Sequence, residues 1–146
     1  FGAWRLATGH ATLWRHPQGE RRYLCSTTMD NFQMYEAQAD TIDVDDIATN
    51  SDNRHVLRRI KRNNANDYNE LWVQNEHEND EDEDCIDYCP EGANDMGWLG
   101  YFIGKSDHLK ILYIRSFTPT SGESVRDVME PFFRGVCSNK SIQTIS

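Results

Sequence analysis

One stretch of this chain recurs after 33 residues, and this repetition constrains the fold more than any single residue does. Apolar residues at three places in the stretch have apolar counterparts 33 positions later: Ile103 and Val136, Leu109 and Ile142, Leu112 and Ile145. An internal period of roughly 20–50 residues is typical of repeat proteins. The spacing predicts that a helix ends, the chain turns sharply, and a strand follows whose alternate side chains point inward.

A third and weaker copy lies upstream. Its apolar places lie 41 residues before those of the first copy and are held by Tyr68, Leu71 and Val73. Three copies approach the minimum for a stack of repeats. We therefore expect the strands that contain Leu71, Leu112 and Ile145 to be neighbours, in chain order, in one parallel sheet with right-handed helical crossovers.

Apolar residues at three-and-four spacing predict three helices. These run from Ser51 or Asp52 to the polar run at Asn63, from Met96 to Ile103, and from Val125 to Val136 with Ser124 as the N-cap. Pro131 lies inside the third stripe, so this helix either kinks or restarts there. Gly97 and Gly100 weaken the second helix; either a neighbouring backbone approaches closely, or the glycines mark flexibility.

The pattern of the first 50 residues predicts a separate module that precedes the repeats. Residues Ala11 to His16 and Arg21 to Thr27 indicate two short strands around a turn that contains Pro17 and Gly19, which predicts a β-hairpin. The acidic segment from Asp40 to Asp52 is expected to be extended. We divide the chain into a hairpin and capping module, residues 1–50, and about three degenerate repeats, residues 51–146, of which the last is incomplete.

The net charge of -9 for 146 residues limits the classes of partner. Eleven carboxylates fall within the 26 residues from Glu70 to Asp95 and repel phosphate, so nucleic-acid binding through a general basic field is not expected. The basic cluster from Arg54 to Arg62 is interpreted as a solvated helix face. No apolar run approaches the ~18 residues of a membrane span, and no secretion signal is visible. These features favour an intracellular protein, cytoplasmic or nuclear, with an organelle left open.

The cysteines and the acidic residues raise two questions: whether a disulfide forms and whether a metal ion binds. Free thiols are the default, and a Cys85–Cys89 disulfide is the alternative. The acidic stretch Glu76 to Asp87 is expected to be a mobile, solvated loop. Four carboxylates in or just after this stretch have the spacing of oxygen ligands in a calcium-binding loop: Asp80, Asp82, Asp84 and Glu91. However, Cys85 stands where such a loop needs glycine, so no metal or other cofactor is predicted. No catalytic motif is found, and the chain is not expected to be an enzyme.

Several segments together resemble a known family. They are Asp95 to Lys105, His108 to Ile114, Phe132 to Val136 and Asn139 to Ile142, preceded by Asn53 to Ile60 and Glu70 to Val73. Over about residues 50–146 the chain resembles leucine-rich-repeat proteins of the ribonuclease-inhibitor-like type, in a divergent microalgal form. The resemblance implies an α/β fold: a short leucine-rich-repeat solenoid with a parallel sheet and outer helices, here preceded by the N-terminal β-hairpin module.

The chain also departs from the family pattern. Glu76 and Phe117 hold the places where the family has asparagine or cysteine, so irregular turns are expected after the strands. The chain stops one residue short of the third apolar place of its last strand. We expect it to be part of a longer repeat protein.

Such a fold predicts a non-enzymatic protein–protein interaction module. Alternate strand residues are expected to face outward and contact a protein partner: Glu70, Trp72, Gln74, Ile111, Tyr113, Arg115 and Thr144. Trp72, Tyr113 and Arg115 are residue types enriched at interface hot spots, and mutual cross-strand packing is the alternative. The other functional hypotheses are a structural subunit of an assembly, with self-association through the C-terminal edge, and a divalent-metal-responsive acidic module at residues 76–91.

Overall fold

The computed structural model describes residues 14–15, 21–22, 29–65, 67–75 and 85–146, with side chains described in these ranges from residue 32 onward. Within these residues the chain forms an α/β structure with a four-stranded parallel sheet, a two-stranded antiparallel pair and four α-helices. The elements are β1 (Trp14–Arg15), β2 (Arg21–Arg22), α1 (Met29–Gln38), α2 (Ser51–Arg62), β3 (Glu70–Val73), β4 (Cys85–Tyr88), α3 (Ala93–Lys105), β5 (Ile111–Ile114), α4 (Val125–Val136) and β6 (Thr144–Ile145).

The parallel sheet confirms the strand arrangement predicted from the repeat. Its order is β4-β3-β5-β6, so the three predicted strands are neighbours in chain order. Leu71 lies opposite Leu112, and Leu112 lies opposite Ile145. All three side chains are fully buried. Positions 33 or 41 residues apart in sequence therefore become direct neighbours in one buried row.

Strand β4 was not predicted. Instead of remaining a mobile loop as far as Asp87, the acidic segment ends in a strand that pairs in parallel with β3 at the sheet edge. Ile86 and Tyr88 of this strand are buried in the core. The expectation of a mobile loop is therefore wrong for residues 85–87, because these two apolar side chains gain a buried site beside β3. The rest of that loop, residues 76–84, lies outside the described residues.

Local signals explain the positions of α2 and α4. The side chain of Asn50 accepts hydrogen bonds from the backbone N–H groups of Asp52 and Asn53, and Asn63 ends α2 in the left-handed conformation. Ser124 caps α4 by accepting from the N–H of Asp127, as predicted. Helix α4 continues through Pro131, so it does not restart there.

Helices α3 and α4 pack backbone against backbone. A Cβ atom added to Gly100 would lie 2.3 Å from the carbonyl oxygen of Phe132, and one added to Gly135 would lie 2.1 Å from the carbonyl carbon of Gly100. No larger residue fits at either position without displacement of a helix. The close approach predicted for Gly100 is confirmed.

Two equivalent turns tie successive helix-strand units together. Asn139, 33 residues after Ser106, is buried and donates to the carbonyl oxygens of Ile103 and Ser106 at 2.7 and 2.9 Å. Its side-chain oxygen accepts from the N–H groups of Ser141 and Ile142, both at 2.7 Å. Ser106 bonds the hydroxyl of Tyr68 at 2.7 Å. The repeat thus includes a polar residue before β5 and before β6, in addition to the apolar residues within these strands.

The segment before α2 differs from the predicted hairpin and extended chain. Strands β1 and β2 pair antiparallel, as expected for a hairpin, and the rest of that hairpin lies outside the described residues. Helix α1 was not predicted; its Tyr35 packs edge-on against Trp98 of α3, with ring centroids 4.6 Å apart. The segment expected to be extended contains a 3-10 turn at Val44–Asp46, since the side chain of Asp43 accepts from the N–H of Asp45. Val44 belongs to the shared core.

Candidate functional site

The parallel sheet has two unlike faces. Helix α2 packs against α3 and α3 against α4, so these helices form one layer. Side chains on one face of the sheet are buried in the core with this layer, Leu71 and Leu112 among them. Because side chains alternate along a strand, the intervening residues point away from the helices. We call this second surface the distal face; its strand residues are Cys85, Asp87, Glu70, Trp72, Ile111, Tyr113 and Thr144.

Two aromatic rings and a guanidinium group form the centre of the distal face. Trp72 lies opposite Tyr113, and their rings stack with centroids 4.0 Å apart and planes inclined by 21°. The guanidinium carbon of Arg115 lies 4.3 Å from the centroid of the Trp72 ring. Stacked rings and a cation above a ring each contribute about 0.5–1.5 kcal/mol. Mutual packing, the alternative for these residues, is therefore present, and it holds the three side chains in one arrangement.

The margin of the distal face is less tightly packed. Glu70 lies opposite Ile111, which in turn lies opposite Thr144. Glu70 and Ile111 are half-buried and Thr144 is exposed. The structure therefore brings together six of the seven predicted partner-binding residues, counting Arg115 through its contact with Trp72.

Gln74 does not fit the predicted outward set. Only 5% of its surface is exposed. Strand β3 ends at Val73, and the N–H of Gln74 donates to the carbonyl oxygen of Tyr88 at 3.1 Å as the chain leaves the sheet. The strict alternation assumed in the prediction does not extend beyond the last strand residue, so Gln74 is not available to a partner.

Two residues of the distal face, Cys85 and Asp87 of β4, were missed from the sequence. Asp87 of β4 lies opposite Trp72 and is 5% exposed. It was assigned to a solvated loop because the acidic composition around it gave no strand signal. The indole nitrogen of Trp72 is itself buried and has no hydrogen-bond acceptor among the residues that the structure describes. The side chain of Asp87 and the indole nitrogen of Trp72 are thus both largely withdrawn from solvent.

Glu91, a candidate calcium ligand in the sequence, instead caps α2. Its carboxylate accepts from the N–H and hydroxyl of Thr49 at 2.9 and 2.8 Å and from the N–H of Asn50 at 2.8 Å. The amide of Asn53 donates to it as well, at 3.1 Å. Burial acts to raise the pKa of Glu91, but these hydrogen bonds outweigh burial and hold the pKa below its ordinary value. Its oxygens are therefore engaged by the helix start.

Asp95 caps α3 in a similar way. It accepts from the N–H groups of Glu91 and Gly92 at 3.1 and 2.6 Å, and from the buried hydroxyl of Tyr88 at 2.9 Å. Burial raises the pKa of Asp95, and the hydrogen bonds only partly oppose it. Burial likewise raises the pKa of Tyr88 well above its ordinary value, with the Asp95 charge adding to the effect. In the described part of the chain, no three His, Cys, Asp or Glu side chains are grouped so as to hold a metal ion.

The described cysteines differ in their bonding. Four steps of extended chain separate Cys85 from Cys89 by roughly 13 Å, too far for a disulfide between them. The Cys85–Cys89 disulfide is therefore absent. Cys137 is buried at the end of α4 and is disulfide-bonded, so the expectation of free thiols is wrong for this residue.

A groove of about 740 Å³ lies between α2 and residues 41–44, and three basic side chains of α2 line it: Arg58, Lys61 and Arg62. Arg58 pairs with Asp45, which is also 3.9 Å from Arg54, and Lys61 donates to the carbonyl oxygen of Ile42 at 3.0 Å. The adjacent segment supplies further carboxylates at Asp43 and Asp46. This pairing agrees with the interpretation of the basic cluster as a solvated helix face.

Comparison with known proteins gives no independent guide to function. No protein-family model, no curated protein and no solved structure matches the chain. The resemblance to leucine-rich-repeat proteins therefore stays a prediction. Among the described residues, no helix has the length and apolar character needed to cross a membrane.

Proposed function

We propose that the chain is a protein-binding module of leucine-rich-repeat type and that its distal face contacts the partner. Repeat proteins of this kind bury one side of a parallel sheet beneath helices and use the other side for recognition. The proposal is supported by the direct pairing of repeat-equivalent residues, Leu112 with Ile145, and by the layer of helices on one side of the sheet.

The observation that carries the proposal is the assembly of Trp72, Tyr113 and Arg115 at the centre of the distal face. These three residue types dominate the energetics of many protein interfaces. Because the rings already stack and the guanidinium group lies against the indole, binding requires little further loss of side-chain freedom. A preorganised centre of this kind favours protein recognition.

We further propose that the module is non-enzymatic, and the roles of one half-buried and one buried carboxylate support this. Glu91 and Asp95 both have shifted pKa values, a property that is common at active sites. Both are instead engaged by backbone N–H groups at helix starts. Their shifts therefore have a structural cause.

Affinity capture with the full chain, followed by titration of the purified partner, tests the proposal. We expect replacement of Trp72 and Tyr113 by alanine to weaken binding by about 2 kcal/mol or more, roughly 30-fold. The matched control is Val125→Ser, a change at an exposed apolar residue of α4. Unaltered affinity in the folded double variant, checked by circular dichroism, would contradict the assignment of the distal face.

A second candidate function is that of a structural subunit that associates through β6. Among the described residues, strand β6 lies at one edge of the sheet and pairs with β5 alone. An edge strand offers backbone groups to a further strand, from a second copy or from a neighbour in an assembly. Sedimentation over a wide range of protein concentrations tests this candidate. A single monomeric species at every concentration would rule out self-association through this edge.

A further inference from the structure

The distal face carries a carboxylate that has no partner of opposite charge among the described residues. Glu70 is half-buried and takes part in none of the ion pairs among the described residues. The cation of the same face, Arg115, lies against the Trp72 ring. A carboxylate that is partly withdrawn from water gains more from a cation than one in bulk solvent does. Glu70 is therefore able to form an ion pair with a cationic group of another molecule.

Tyr113 lies diagonally across from this carboxylate on the same face. Glu70 is opposite Ile111, and Tyr113 is two residues further along the strand of Ile111. Diagonal neighbours of this kind are roughly 7–8 Å apart, within reach of aromatic and long side chains. Tyr113 stacks with Trp72, and no other ring or cation in the described residues lies against it. A ring surface beside a carboxylate suits a lysine or arginine, whose alkyl stem packs on the ring while its charged end pairs with the acid.

The charge of the whole chain favours the same class of partner. The net charge is -9, and much of it comes from carboxylates between Glu70 and Asp95. A field of this sign attracts basic protein surfaces and repels phosphate groups at distances set by ionic strength. Charge complementarity therefore selects a basic protein segment over a nucleic acid.

We propose that Glu70 and Tyr113 form a subsite that receives a lysine or arginine side chain of the protein partner. The partner presents a basic segment to the distal face, with this side chain next to the stack of Trp72 and Tyr113. The inference depends on the proposed function, because it specifies the chemistry of the partner for the same face.

Fluorescence anisotropy with a labelled peptide of alternating lysine and glycine tests the subsite directly. Glu70→Gln removes the charge with almost no change in shape, and we expect it to weaken binding of the probe about fivefold. Asp40→Asn is the matched control, since it removes one charge from an exposed carboxylate remote from the sheet. This control should change affinity less than twofold. Added salt should reduce the affinity of the wild-type chain more steeply than that of Glu70→Gln.

The outcomes separate the subsite from the function of the face. If Trp72→Ala weakens probe binding and Glu70→Gln does not, the distal face binds peptide but the subsite is wrong. If neither change matters, the probe binds elsewhere and both proposals fail. Equal losses in Glu70→Gln and Asp40→Asn would show a general charge effect and overturn the subsite. Preferential binding of a matched peptide of glutamate and glycine would overturn the basic character of the partner.

Discussion

The two faces of the parallel sheet are built from the same strands but differ in residue type and in burial. On the helix side, Leu71, Leu112 and Ile145 form a row of fully buried aliphatic side chains. On the distal side, the neighbouring places hold Trp72 and Tyr113, which stack and remain partly exposed. A shared core forces similar residues into equivalent places, whereas the distal face has no such requirement. The repeat period therefore describes the buried face of the sheet, and the proposed binding face departs from it.

Adjacent residues of β5 offer the strongest test of this difference. Leu112→Ala leaves a cavity within the buried row and should lower the free energy of unfolding by roughly 2–5 kcal/mol. Ile111→Ala removes a half-buried side chain of the distal face and should cost about 1 kcal/mol, on the scale of apolar area lost. Urea melts of both variants measure the two values. Equal losses would mean that the two faces are not energetically distinct.

The helix layer should tolerate added volume poorly where α3 meets α4. Gly100→Ala places a methyl group against the backbone of Phe132 and should cost about 1–3 kcal/mol through overpacking. Gly97→Ala meets the hydroxyl of Tyr35, which belongs to a side chain that can rotate away. Thermal melts should therefore show a smaller loss for Gly97→Ala. The reverse order would indicate that α1 constrains α3 more strongly than α4 does.

The cap formed by Glu91 should make the helix side sensitive to acid. Its pKa is lowered from 4.5 by hydrogen bonds that overcome burial, so the charged form stabilises the fold at neutral pH. Glu91→Gln should cost about 1–2 kcal/mol at pH 7, since charge-assisted hydrogen bonds are lost. The stabilisation is present above pH 4.5 and disappears as the pH falls through the lowered pKa. Urea melts from pH 7 to pH 3 should show the variant and the wild type converging, and a constant difference would contradict the linkage.

The smallest effect on stability is expected for the aromatic stack. A double-mutant cycle between Trp72→Ala and Tyr113→Ala should give a coupling energy of about 0.5–1.5 kcal/mol, because the rings contact each other directly. Chemical denaturation measures this value. A coupling above 3 kcal/mol would assign the stack mainly to folding and weaken the case for a binding surface.

The parts of the fold that sequence predicted well are those in which local and repeated signals agree. Helix α2 combines a three-and-four stripe with the Asn50 cap, and α4 combines its stripe with the Ser124 cap. Residues Leu112 and Ile145 occupy equivalent places in the repeat, and the structure makes them register partners. The predicted members of the distal face followed from the same alternation except for Gln74, whereas Cys85 and Asp87 of β4 were missed.

The parts that sequence did not predict depend on contacts between distant segments. Strand β4 is only four residues long, and its pairing with β3 outweighs the surrounding acidic composition. Helix α1 lacks a clear apolar stripe, and it packs on α3 through individual aromatic contacts such as that of Tyr35 with Trp98. Glu91 caps a helix start 41 and 42 residues away along the chain, a role that no local pattern indicates.

The side-chain amide of Asn53 forms two hydrogen bonds with the backbone of Cys89. It donates to the carbonyl oxygen at 2.6 Å and accepts from the N–H at 3.0 Å. Together with the pairing of β3 and β4, this contact fixes both ends of the connection that runs from residue 74 to residue 84. The entropic cost of closing a chain segment between two anchored ends grows slowly with its length, and each doubling adds only about 0.6 kcal/mol. Lengthening the chain between β3 and β4 with an inserted tag or reporter peptide should therefore cost little free energy of folding, because the strand pairing and the Asn53 contact stay in place.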